Sequence, residues 1–186
     1  MVDMGSREKN FRQIIARPSE SNRFIMVSYT LIMAVFIILL SKVPLIQIFN
    51  VTPHPSLISI AIFYWSLSDP ERLSIYSLFF IGLFVDLLII SPIGVGFIIY
   101  LSLHYFVITQ RATLLNRGLT VKLAYFALII FILYFIIYFL IWRTHGHFPA
   151  VKTIIVPGLT TILCFIPFYR LFEMIDNLVF PSGLRE

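Results

Sequence analysis

Charge is scarce in this sequence: 12% of its 186 residues are Asp, Glu, Lys or Arg, about half the roughly 25% found in soluble domains. With 59% of residues hydrophobic, the chain cannot cover its surface with polar groups, and a water-soluble fold is excluded. Cysteine is nearly absent as well. Cys164, the single one, rules out an internal disulfide and sits in an apolar run, where it packs as a small hydrophobe. The histidines, His54, His104, His145 and His147, have no spacing that suits zinc. The chain lacks a Ser/His/Asp set, paired intramembrane acids, a phosphate loop and an HExxH signature, so neither catalysis nor a cofactor is expected. A net charge of +5 would point to nucleic acid in a soluble protein. Here there is no soluble domain to carry a basic groove with interleaved aromatics. The polar N-terminal segment, with no small-residue cleavage site after an apolar core, predicts no cleavable signal peptide.

What is present is a series of apolar runs: 24–41, 56–68, 73–90, 94–109, 121–142 and 153–172. Each helix in lipid satisfies its own backbone, so the expectation is an all-α integral membrane bundle of about six transmembrane helices over 24–176. A basic tail, 1–23, carries Arg7, Lys9, Arg12, Arg17 and Arg23 and is expected on the cytoplasmic leaflet, helical over 11–16. A short tail, 177–186, ends the chain. The second run is short for a hydrocarbon core of roughly 30 Å, and charge arbitrates. With six spans, eleven of the 14 Lys and Arg fall inside and three outside; without the second crossing they split seven and seven. The excess of positive charge inside favours six spans and two cytoplasmic termini.

Asp86 is the one acidic residue well within an apolar run, a position that costs roughly 2.5–3.5 kcal/mol on insertion scales and so calls for a partner. Ile75, Phe79, Gly82, Asp86 and Ile90 share a helix face by their three- and four-residue spacing, and Gly82 lets another backbone approach. Asp86 is therefore expected to face the bundle as a clasp of the third, fourth and sixth helices. Tyr100, Arg143 and Lys152 are its candidate partners, and a substrate or proton site is the competing role. Gly158, Thr161 and Cys164 give the sixth run a small-residue edge, a candidate face for a partner helix.

The stretch 54–94 resembles the MreD family of bacterial rod shape-determining membrane proteins. The shared series is Pro55, Tyr64-Trp65, Pro70, Gly82-Leu83, Asp86-Leu87-Leu88 and Pro92-Ile93-Gly94. Short loops and a proline late in the last run, Pro167, are also similar. The tail before Phe24 is longer than the family pattern, and His54 stands where arginine is common. The resemblance implies a non-catalytic scaffold or regulator of the elongation machinery in the cytoplasmic (inner) membrane. The partners it implies are MreC and, indirectly, MreB, RodA and a class B penicillin-binding transpeptidase, with membrane lipid around the bundle. Six short-looped helices also resemble the substrate-binding subunits of energy-coupling-factor vitamin transporters. A small-molecule carrier with Asp86, Tyr100 and Trp65 around a pocket is thus the alternative.

Overall fold

The computed structural model describes residues 20–41, 55–89, 94–145 and 151–179. The expectations for the tail, for His54, for Pro92-Ile93 and for the charged side chains of Arg143 and Lys152 lie outside the described residues or side chains. Six helices and one 3-10 turn follow in order: α1 Glu20–Leu40, α2 Leu57–Ser68, the turn Pro70–Arg72, α3 Ile75–Ile89, α4 Val95–Leu115, α5 Leu119–His145 and α6 Lys152–Val179. The described residues contain no strand. The chain is an α-helical membrane bundle.

Two stretches, Leu119–Phe139 of α5 and Ile155–Leu178 of α6, are long and apolar enough to cross a membrane. Only 22% and 28% of these windows are buried within the bundle, so their apolar outer faces, with Phe135 and Leu163 among them, need lipid as solvent. α4 and α6 run beyond the apolar stretches read from the sequence, to Leu115 and Val179. α6 also continues through both Pro157 and Pro167. Thr161 Oγ1 donates to the Pro157 carbonyl at 2.7 Å.

The short second run has a different explanation from thinned lipid. α2 has 12 residues, about 18 Å of helix, and every residue from Leu57 to Leu67 is buried. It contacts α1, α4 and α6, while α3 packs on α1 and α4, and α5 on α4 and α6. The helix too short for lipid is the one that lipid does not touch. Continuous burial also explains its continuous hydrophobicity, which lacks a polar face.

Aromatic rings fill the contact of α2 with α5 and α6. Phe63 meets Phe126 and Phe165 edge-on at 5.3 and 5.5 Å between centroids, and Phe126 stacks on Phe165 at 4.6 Å. Tyr64 and Trp65 extend this layer to Tyr169 and Phe172 of α6. Lipid tails are as apolar as these rings, so ring packing of this kind must win through fit and dispersion and not through exclusion of water.

Candidate functional site

Asp86 and the start of α4 form one device. The Gly94 N–H donates to Asp86 Oδ2 at 2.7 Å and the Gly96 N–H to Oδ1 at 2.9 Å. The first amides of a helix have no partner in their own helix. Gly94, at the N-cap, has no side chain to offer them. A carboxylate from α3 takes that place, favoured also by the partial positive charge of a helix N-terminus. Gly94 has a φ of 102°, the left-handed region where a Cβ is strained. Gly82 and Gly96 bring α3 and α4 into backbone contact: a Cβ on Gly96 would lie 2.7 Å from the Gly82 carbonyl oxygen and 2.7 Å from Asp86 Oδ1. The series Gly82, Asp86, Gly94 and Gly96 therefore reads as a single locked helical hairpin.

Several expectations change here. Asp86 clasps α3 to α4 through the Gly94 and Gly96 amides. Tyr100, proposed as its donor, lines one cavity with Asp86 and with Ser56, the N-cap of α2. Ile75 and Phe79, expected on the inward face, are exposed; Phe79 covers the Phe97 ring at 5.5 Å from outside. Leu87 and Leu88 point outward beside the inward Asp86. Pro55 of the family series precedes the N-cap Ser56. Asp86→Ala is expected to cost about 1–3 kcal/mol for each amide left without an acceptor. Asp86→Asn, keeping one carbonyl oxygen, should lose less. Thermal unfolding in detergent measures both, and an Ala variant as stable as the parent would remove the clasp.

The small-residue edge of α6 is turned inward. Thr161 is fully buried and its Oγ1 accepts the Ser56 N–H at 2.9 Å, supplying an acceptor at the start of α2. Gly158 faces the Tyr134 ring of α5 and lines a groove between α5 and α6 with Phe135, Tyr138 and Ile162. Cys164 is half-buried against the core. Thr161 is therefore unavailable to a partner helix, because α2 already occupies it.

The opposite end of the bundle holds a buried charge cluster. Arg72 is buried; its Nε donates to Asp69 Oδ2 at 2.9 Å and its Nη1 to Asp176 Oδ1 and Oδ2 at 3.0 and 3.1 Å. Asp176 is buried too, so the turn after α2 is bolted to the last turn of α6. Arg111 of α4 donates through Nε and Nη2 to the Leu67 and Ser68 carbonyls at 2.9 and 3.1 Å. That places a cation on the negative end of α2. The Asp69-Pro70-Glu71-Arg72 turn held a signal in sequence, since a Pro-led turn flanked by opposite charges invites an ion pair. Asp176 was out of reach, being 104 residues away from Arg72.

His104 joins α4 to α2. Ser66 Oγ donates to the Ile62 carbonyl at 2.6 Å and lies 2.8 Å from His104 Nδ1. Both contacts are made at once when the Ser66 proton goes to the carbonyl and His104 donates from Nδ1. Among the described residues no three His, Cys, Asp or Glu side chains gather as a metal site.

An α-helical membrane bundle whose polar side chains join helix to helix at both ends belongs to the class of compact α-helical membrane proteins. The family described as rod shape-determining protein MreD matches residues 22–175, which spans all six helices. The chain belongs to the MreD family. No curated protein and no solved structure matches it.

Proposed function

We propose that the chain is a non-catalytic scaffold and regulator of the cell-elongation machinery in the bacterial inner membrane, acting through MreC and, through it, on MreB, RodA and a class B penicillin-binding transpeptidase. The family match over residues 22–175 carries this reading. The architecture supports it, since the described connections 69–74 and 116–118 are tight turns and, among the described residues, what a partner can reach is chiefly helix faces. The distribution of charge supports two cytoplasmic termini: with Arg72 set aside as ion-paired, ten Lys and Arg remain inside against three outside.

Of the small-residue edge, Gly158 is the part that borders open space, at the α5/α6 groove. We place the membrane helix of MreC there. Gly158→Leu fills the groove and is expected to weaken MreC capture about tenfold, the weight of 1.4 kcal/mol. Unchanged capture by a stably folded variant would move the contact elsewhere. The primary test is a mild-detergent pull-down of the tagged protein with partners read by mass spectrometry. MreC with elongation synthases supports the scaffold. An ATPase pair with a coupling subunit would mean a carrier, whose loss is rescued by its nutrient, whereas depletion of a scaffold turns rods round. One observation favours the carrier: Asp86 and Tyr100 do line one cavity. Trp65 does not join them; it packs on Phe172, in the aromatic layer toward the charged end.

A further inference from the structure

Between α1, α2, α3, α4 and α5 lies a cavity of about 260 Å³. At about 30 Å³ per water-sized group it holds on the order of nine such groups. Much of its wall is apolar, with Ile38, Val85, Ile99 and Leu133, while Ser56, Ser59, Tyr100 and Asp86 supply a polar side. An ordered water needs two to four polar partners, and the apolar wall offers none, so water alone fits that wall poorly. A purely apolar filling would leave the hydroxyls facing hydrocarbon. The matching occupant is polar at one end and apolar at the other.

The chemistry of the polar side narrows the class. Ser56 and Ser59 share a hydrogen bond of 2.7 Å, and the Tyr100 and Tyr134 side chains line the same cavity from α4 and α5. Hydroxyls both donate and accept, which suits an uncharged head that does the same. The Asp86 oxygens are turned to the Gly94 and Gly96 amides, so their part here is to hold the wall in place. Around the cavity the bundle exposes an apolar surface, so the occupant is one that dissolves in the membrane.

We propose that this cavity binds a neutral membrane amphiphile with a hydroxyl-bearing head at Ser59 and Tyr100 and a short apolar body along Ile99 and Leu133. The site is independent of the partner reading and stands or falls separately from MreC capture.

The test uses the full chain in phosphatidylcholine nanodiscs with a diazirine-tagged decanol as photoprobe, labelled residues being mapped by mass spectrometry. Labelling is expected on Ile99, Tyr100, Ile130, Leu133 and Ile137, and unlabelled decanol should displace it about tenfold better than decane, decanoate or decylamine. Label spread over the lipid-facing Phe135 and Leu163 without displacement would overturn the site. Equal displacement by decane, or best displacement by decylamine or decanoate, would overturn the neutral polar head. Ile99→Trp, which fills the apolar half, should lower labelling about tenfold while melting like the parent. Labelling that persists in a folded Ile99→Trp variant counts against the proposal. If that variant does not fold, the competition series on the parent decides alone.

Discussion

Gly82→Val is expected to unfold the bundle, with a loss of about 3 kcal/mol or more, at or beyond the upper end of what overpacking usually costs. The reason is the kind of atom that the new side chain meets. A Cβ at position 82 falls on the backbone nitrogen and Cα of Phe97 and lies 2.8 Å from the carbonyl carbon of Gly96. A flexible side chain could move aside, but the first turn of a helix cannot. If α4 withdrew to make room, the Gly94 and Gly96 amides would leave Asp86, and buried backbone donors would lose their acceptor. Steric and polar losses therefore arrive together. A thiol-reactive dye reporting through Cys164, half-buried and the single cysteine, measures the melting temperature in detergent. Gly118→Ala is the control, because nothing lies within 4 Å of a Cβ at that site, and it should melt like the parent. Equal melting of Gly82→Val and the parent would show that α3 and α4 do not meet at this point.

Arg72→Ala is the second large effect, about 3–5 kcal/mol, the usual cost of removing one member of a buried ion pair. Asp176 is buried and would keep its charge, or take up a proton, without the guanidinium that now donates to both of its oxygens. Asp69 suffers less, being about one-third exposed and open to hydration. The sign of the second substitution tests the mechanism. Paired replacement, Arg72→Met with Asp176→Leu, removes both charges together and should recover most of the lost stability, because two desolvated charges attract each other only about as much as their burial costs. Thermal unfolding of the parent, Arg72→Met, Asp176→Leu and the double variant measures the coupling. A double variant as unstable as Arg72→Ala would mean that the turn after α2 needs the charges themselves and not only the contact.

The two effects locate the strength of the fold. Its apolar interior resembles lipid, so apolar contacts alone do not distinguish one helix arrangement from another. Helix order is set where polar groups or bare backbones meet: Asp86 on the amides of α4, Thr161 on the amide of Ser56, Arg111 on the last carbonyls of α2, and Arg72 on Asp176. Each joins elements that are distant in the bundle's wiring, except the first, which closes a hairpin. All of them lie at helix ends, where backbone groups have no partner within the helix.

By itself the sequence determined the class of solvent and the number of helices, because both follow from local composition: apolar runs of sufficient length, separated by Pro, Gly and charge. It also determined that Asp86 faces protein, since a carboxylate in lipid must find a partner. The family series 55–94 was readable as a series. Its physical meaning, a hairpin sealed by glycine contacts and a carboxylate cap, was readable only in part. Tertiary structure decided the rest. It put the shortest helix at the centre, which no local pattern reveals, because a run of apolar residues reads alike whether lipid or protein surrounds it. It chose backbone amides over Tyr100 as the donors to Asp86, and turned Thr161 toward α2. It made Arg72 a buried bolt instead of a surface charge, since the partner that permits its burial lies 104 residues away, and pairing over that distance is a property of packing and not of sequence spacing.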